Sequence, residues 1–515
     1  MTSKKKKVTS MIVVQIALFL VLFIYFTQIT PLLPFDADDW STLGTMRLPI
    51  PLWGVFNPSK VLPEVIGPLV GEIAAYVVYP ISKNYVDSIL FTQAVLVSLC
   101  VATLLYLFYL FLVRKMKMTL KQAISGELFM FLSLFFLFKH LNSASYSGIW
   151  ASDFNCYFHY LIPGLLNASV LLVIMTEEDF TKQWANQSNI YKGFFFVALY
   201  FAIFSSSQLN IILAAYIIVD LAVRGFEYVR QGNKEPISNL LIYFVTIGLW
   251  LISVLFDLHG RRASMVTAAN SGSLNEKIAS IVTSLKTLIG SFNSKILVLY
   301  CLVIVASLFL SAKNKKDRKT ASVLPIISML FCALLISFVY LLFAYSKAGA
   351  SYLGRVDAMW SPIWFFILSS CIGVAYLVKE YNSVRIAMPL VLVIMALISF
   401  NFDYLPVQSS VDQHSASTIR QVDNYMIKQI VKADREGKAK VTVKVPWGDG
   451  EVNPKDLSSN WPHAYYMAKW MQNTLYSHGI IRSRIQITFK PDKKLNKKFY
   501  ENRTKQQPFT ALETR

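Results

Sequence analysis

Long apolar runs alternate with short polar segments along most of the chain. A bilayer core needs about 20 apolar residues per helix, and fewer where neighbours help. Eleven runs qualify, near 11–30, 86–113, 123–138, 160–175, 193–206, 209–223, 237–256, 296–311, 322–344, 361–378 and 386–401. Only Ser205-Ser206-Ser207-Gln208-Leu209-Asn210 separates the fifth from the sixth, which fits either a tight hairpin or an unwound break inside one long helix. The run 11–30 follows Lys4–Lys7 as in a signal peptide. It is long enough to span and has no small-residue cleavage site before Pro31, so it reads as an uncleaved first span.

The pattern changes near Phe402. Residues 402–515 are polar, with a helix expected over 421–433, a strand over 439–445, a turn at 446–450, a second helix over 461–477 and a second strand over 485–489. The tail after Lys493 is expected to be mobile. The chain therefore divides into an α-helical polytopic membrane domain, 1–401, of about 11 transmembrane helices, and a small C-terminal α/β domain, 402–515.

Charge sets the expected sidedness. Lys4–Lys7, Arg114-Lys115-Met116-Lys117, Arg224/Arg230/Lys234, the run 313–319 and Lys379/Arg385 all fall on one side of this topology. The positive-inside rule makes that side the cytoplasm. Eleven crossings then place the C-terminal domain outside a plasma membrane. Composition agrees: 55% of residues are hydrophobic and 16% charged, against roughly 25% charged in soluble chains. The net charge of +20 is accounted for by basic cytoplasmic loops, so no nucleic-acid partner is expected. The five cysteines show no metal or redox spacing.

Four outer segments hold the candidate chemistry. The first, 31–85, carries Asp36-Ala37-Asp38-Asp39-Trp40 and then an apolar stretch, 61–80, expected to be interrupted by Pro and Gly. Crowded carboxylates raise one another's pKa. One could act as a general base on an acceptor hydroxyl. Alternatively, Asp36, Asp38 and Asp39 could hold a divalent cation, Mg or Mn, through oxygen ligands. The plainer alternative is a solvated loop capping a helix, with Asp38 or Asp39 at its N-terminus. The second segment, 139–159, offers Trp150 as a belt anchor or sugar platform, and Asp153, Asn155 and His159 for hydrogen bonds to hydroxyls. The third, 257–295, contains Arg261 and Arg262 and an amphipathic helix suited to the interface plane. The fourth, 345–360, contains Lys347 and Arg355. A guanidinium on the outer side calls for an anion, and phosphate fits its fork; snorkelling, or pairing with Asp257 or Asp357, is the alternative.

This layout resembles the GT-C superfamily of membrane glycosyltransferases, whose first outer loop carries an acidic motif and two interfacial helices. Within it the chain resembles bacterial GtrII-like, polyprenyl-phosphate-sugar-dependent transferases that add side branches to cell-surface polysaccharides. The resemblance rests on Asp36-Ala37-Asp38-Asp39-Trp40, the stretch 61–80, the span count and the outer C-terminal domain. It implies that Asp38 or Asp39 is the catalytic base, with Asp36 as a further candidate and Trp40 beside the substrate. It implies that Arg355 or Arg262, helped by Arg261 and Lys347, offsets the leaving phosphate. Metal dependence varies across the superfamily. The implied partners are a polyprenyl-phosphate-linked sugar, an extracytoplasmic glycan acceptor and the bilayer. Two alternatives are a flippase or transporter of lipid-linked sugars and a surface-polysaccharide polymerase or ligase. A flippase should carry charged residues inside the bundle, and nearly all charges here lie in loops.

Overall fold

The computed structural model describes residues 3–34, 36–47, 58–139, 146–151, 153–231, 237–259, 273–313, 323–399, 416–447 and 467–500. Among them, nine helices are long and apolar enough to cross a membrane. That is the make-up of an α-helical multi-pass membrane protein. Eight of the nine coincide with expected spans: Val8–Ile29, Tyr85–Arg114, Phe154–Thr176, Asn239–Leu258, Ser294–Lys313, Val323–Ala348, Trp360–Glu380 and Asn382–Ser399. The other three expected spans are helical but do not reach that standard. Two are 17 and 15 residues long, and the third carries Asp220, Arg224, Glu227 and Arg230 from its middle onward.

Helix α1 (Ser3–Ile24) runs on through a wider π turn to Ile29. Next come α2 (Ala37–Gly44), α3 (Val61–Ile73, continuing to Ser82), α4 (Tyr85–Arg114), α5 (Leu120–Phe136) and α6 (Phe154–Thr176). A short α7 (Phe180–Asn186) leads to α8 (Asn189–Ile203), α9 (Ile211–Gln231), α10 (Ile237–Leu258) and α11 (Leu274–Gly290). The bundle ends with α12 (Ser294–Lys313), α13 (Val323–Ala348), a 3-10 turn at Ala350–Gly354, α14 (Trp360–Glu380) and α15 (Asn382–Ser399). Helices α14 and α6 are central, with 89% and 78% of their apolar stretches buried, whereas α1, α12 and α15 bury only 17%. Those rim helices turn Ile, Leu, Val and Phe side chains outward, a surface that suits lipid and not water.

Contacts between connecting segments gather at two ends of the bundle. At one end, Lys115 Nζ donates to the carbonyls of Glu177 and Glu178 at 2.7 and 3.1 Å, and Arg224 pairs with Asp179 at 3.2 Å. At the other, Lys139 N donates to the Ser291 carbonyl at 2.9 Å, Leu62 N to that of Phe204 at 3.2 Å, and Ser361 Oγ to that of Gln208 at 3.2 Å. The start of α8 and the end of α9 both lie at the first end, where Lys192 Nζ reaches the Ala185 carbonyl and Arg224 reaches Asp179. The chain therefore turns back at 204–210, and this segment is a hairpin and not a break in one helix. Its buried polar groups are bonded in part: Asn210 Nδ2 donates to the Ile203 carbonyl at 2.8 Å and to Ser253 Oγ at 3.2 Å, while Asn210 Oδ1 has no hydrogen-bond partner among the described residues.

The stretch expected to be interrupted, 61–80, forms one helix. Pro68 lies inside it. A proline has no N–H, so the carbonyl four residues back, that of Glu64, loses its helical donor. Arg47 N donates to that carbonyl at 3.3 Å, and Arg47 Nε pairs with the Glu64 carboxylate at 2.8 Å. The helix lies across the second end of the bundle, although it is long and apolar enough to span. Leu62 bonds to Phe204, Gly67 sits against Thr42 and Phe158, and Tyr76 OH donates to the Ser477 carbonyl at 2.8 Å.

The C-terminal unit consists of α16 (Ala416–Arg435), β1 (Lys440–Pro446), α17 (Met467–Ser477), β2 (Gln486–Asp492) and α18 (Lys493–Tyr500). The strands pair in parallel, from Lys440 opposite Gln486 to Pro446 opposite Asp492, so β1-α17-β2 is a crossover unit. The expected elements match these, each strand starting one residue later than expected; the domain boundary near 402, residues 461–466 and the turn beyond Trp447 lie outside the described residues. The tail expected to be mobile is helical as far as Tyr500. Leu495 and Phe499, four residues apart, turn inward, and the Phe499 ring meets that of Tyr425 at 5.3 Å.

Candidate functional site

Helix α2 starts where the acidic cluster satisfies its N-terminus. Asp36, in extended conformation, accepts from Ala37 N, and Asp39 Oδ2 accepts from Asp36 N at 2.8 Å. This reciprocal cap meets N–H groups that a helix start leaves without partners. Asp38 and Asp39 stand in the first turn at the helix N-terminus, as the capping alternative expects, but the N-cap residue itself is Asp36. The helix dipole favours the two further carboxylates in the first turn.

Asp39 is fully buried. Its Oδ1 accepts from Asn155 N at 2.7 Å, and Thr42 Oγ1 donates to Asn155 Oδ1 at 2.5 Å. The first outer segment is thereby clipped to the start of α6. There Asp153 caps the helix, accepting from Cys156 N at 2.6 Å and from Cys156 Sγ at 3.2 Å. Arg355 Nη2 donates to the same sulfur at 3.0 Å. Arg355 also grips the buried Asp357 with two hydrogen bonds, Nε to Oδ1 at 3.0 Å and Nη2 to Oδ2 at 2.7 Å. Its guanidinium lies over the rings of Tyr160 and Tyr352, at 5.1 and 5.4 Å. Three segments far apart in sequence thus meet in one place.

The electrostatics are those of buried carboxylates. Burial pushes the Asp36 carboxyl up to about 6; its bond from Ala37 N opposes this, and the charges of Asp38 and Asp153 add to it. Burial also raises Asp153, against its bonds from Cys156 and the pull of Arg355. For Arg355, burial works against the charge, but Asp357 and Cys156 more than offset it and hold the guanidinium above its ordinary value. A narrow cleft beside the cluster is lined by Thr30, Leu33, Trp150, Asp153, Phe154 and Tyr157. It holds about 10 Å³, roughly one water, so a sugar ring requires these loops to part.

The expected site residues are placed unequally. Asp36, Asp39, Asp153, Asn155 and Arg355 are joined as described, and Asp38 is exposed beside them. Trp40 is fully buried, with its ring 6.5 Å from that of Tyr85, so its indole faces protein and not open space. Trp150 is half-buried and meets Tyr146 edge-on at 5.1 Å. His159 is half-buried one turn beyond Asn155, and Lys347 is exposed near the end of α13. Arg261 and Arg262 lie outside the described residues. Among the described residues, no group of three or more His, Cys, Asp or Glu side chains is arranged to hold a metal ion. Asp36 and Asp39 instead direct their oxygens at backbone N–H groups.

Sequence reasoning passed over Thr42 and Cys156, and it weighed Asp357 only as an ion-pair alternative for Arg355. It also missed the seat of the C-terminal unit. Thr474 Oγ1 donates to the Trp40 carbonyl, His478 Nε2 meets the Leu43 carbonyl at 3.1 Å, and Tyr85 OH meets His478 Nδ1. Arg420 pairs with Asp87 at 2.8 Å. The approach is close: a Cβ on Gly44 would come within 2.2 Å of Thr474. The unit therefore sits directly on the helix that carries the acidic cluster. Comparison of the chain with protein-family models, with curated proteins and with solved structures finds no match.

Proposed function

We propose that the chain is a membrane glycosyltransferase of GT-C type, moving one sugar from a polyprenyl-phosphate donor to a cell-surface glycan on the outer face of the plasma membrane. The observation that carries this reading is the convergence of Asp36, Asp39, Asp153 and Arg355 at one end of an apolar bundle, with the Asp36 carboxyl raised to about 6. A base with a pKa near the working pH is the most effective kind. Sidedness follows from charge. The opposite end carries Lys115, Lys117, Lys182 and Arg224, and basic ends face the cytoplasm. Helices α1, α4, α5, α6, α8, α9, α10 and α12 to α15 then make eleven crossings, with α3 lying along the outer surface.

In this mechanism the Asp36 carboxylate takes the proton of an acceptor hydroxyl while that oxygen attacks the anomeric carbon. The bond from that carbon to the phosphate oxygen breaks, and the lipid phosphate leaves with the electron pair. Asp39 is a positioning residue, because both of its oxygens accept backbone N–H groups. Arg355 is the leading cation for the departing phosphate and acts while bonded to Asp357; Arg261 and Arg262 are further candidates. The test is transfer of a labelled sugar from its polyprenyl phosphate to surface glycan by the purified protein in vesicles. Transfer dependent on the protein is expected; its absence under conditions where the protein is folded overturns the reading.

A second reading, passage of lipid-linked sugar without chemistry, draws on one observation. Gln15 Nε2 donates to Glu127 Oε1 at 2.6 Å inside the bundle, where Glu127 is fully buried, and ionisable groups at such depth mark transport paths. Leaflet exchange of a fluorescent lipid-linked sugar that is lost in Glu127→Gln, with no glycan product, would favour that reading.

A further inference from the structure

The geometry points to the open face of the C-terminal sheet as a docking surface for a linear polyanion, a glycan or polyol chain bearing phosphodiester or carboxylate groups. The partner class rests on the outer location proposed above. The described parts of this unit, 416–447 and 467–500, hold 15 Lys and Arg against four Asp and Glu. Two of those four are unavailable to balance the surface. Asp423 is fully buried, and Asp434 is bonded to the backbone of Arg482 and Ser483.

The excess is organised. One face of the strands is buried through Val443, Val445 and Ile487, while Lys440, Thr442 and Lys444 on β1 and Gln486, Thr488 and Lys490 on β2 are exposed. The register sets Thr442 beside Thr488 and Lys444 beside Lys490. Neighbouring strands lie about 4.8 Å apart, and like charges side by side repel. Lys444 has Asp492 at 3.5 Å, with 64% of its side chain exposed. An anion set between Lys444 and Lys490 relieves the repulsion, and the threonine pair offers hydroxyls beside it. Beyond β2, α18 exposes Lys493, Lys494, Lys497 and Lys498 while its Leu495 and Phe499 turn inward.

This face suits a polymer better than a membrane. Surfaces that bind the bilayer interface combine cations with apolar side chains that enter it. All six exposed positions on the sheet face are Lys, Thr or Gln. A strand of seven residues also gives a straight run of roughly 23 Å, the shape of an extended chain.

The test uses full-length protein in nanodiscs of uncharged lipid, without donor, and fluorescent poly(glycerol phosphate) as the probe. Binding is expected, with little binding of neutral dextran. Affinity should fall about tenfold between roughly 50 and 200 mM salt, as release of a few counterions requires. A Lys440→Gln/Lys444→Gln/Lys490→Gln variant should lose about tenfold more, with unchanged melting; should it misfold, Lys490→Gln alone must still weaken binding. Equal binding of dextran, an unaffected folded variant, or binding confined to phosphatidylglycerol vesicles overturns the proposal. Because no donor is present, polymer binding by a protein that transfers no sugar would count against the transferase reading alone, and transfer without polymer binding against this surface alone.

Discussion

Asp179 and Asp36 both cap short helices at an end of the bundle, and their surroundings differ. Asp179 has Lys182 at 2.9 Å, Arg224 at 3.2 Å and the hydroxyl of Thr181 at 2.8 Å. Burial opposes its charge, but these partners prevail and hold its carboxyl below the usual range. For Asp36 burial prevails over a single backbone N–H, two carboxylate neighbours add to it, and the carboxyl is held at about 6. One arrangement fastens a connection; the other, in the mechanism proposed above, keeps a proton acceptor in readiness. Strongly perturbed carboxylates next to a cleft mark functional sites more often than chance, and Asp153, whose carboxyl is raised, lines the cleft beside Asp36.

The comparison can be broken at several points. The largest effect on folding is expected from Asp39→Ala, which leaves the N–H groups of Asp36 and Asn155 without acceptors. At about 1–3 kcal/mol for each buried orphan, the melting temperature of purified protein should fall clearly. An unchanged value would remove Asp39 as the strut of the site. The seat of the C-terminal unit tests the same end. His478 is 2% exposed, and burial lowers its pKa from 6.5 to about 4, against its bond to the Leu43 carbonyl. A histidine buried neutral contributes stability that is present above pH 6.5 and lost as pH falls towards 4, on the order of 3 kcal/mol. Hydrogen exchange in α17 should accelerate over that window, and His478→Gln should flatten the response. A smaller cost, about 1 kcal/mol, is expected for Asp179→Asn, because its ion pairs are part-exposed; sugar transfer should be unaffected, and a large loss of transfer would erase the contrast between the two ends. The smallest effect belongs to Asp38→Asn. Removing that neighbouring charge should lower the pKa of Asp36 by less than about one unit, seen as a shift of the acid limb of the pH–rate profile to lower pH.

The apolar runs made most of the bundle legible, because a span must satisfy its backbone internally and therefore announces its length. Helix α3 was hidden by Pro68, which reads as a break until Arg47 is seen to take the carbonyl that the proline orphans. Nothing in the local pattern places Arg47 there. The acidic cluster was visible as three carboxylates in four residues, but the roles within it were not. Asp39 becomes a strut through the N–H of Asn155, 116 residues away. Asp36, the residue of least apparent chemical interest, is the acceptor in the proposed mechanism. The two-residue spacing of Arg355 and Asp357 was legible. The docking of Thr474 and His478 on α2 was not, since a histidine and a threonine in a polar helix carry no mark of what they will meet.

The central claim is that the Asp36 end performs proton transfer during glycosyl transfer. Its most direct test is the pH–rate profile for transfer of labelled sugar by the wild type and by Asp36→Asn. The wild-type rate should rise through pH of about 6 and then level, and Asp36→Asn should fold normally yet transfer about 10²–10⁴-fold more slowly at neutral pH. An Asp36→Asn protein with wild-type rate and an unchanged profile would contradict the account.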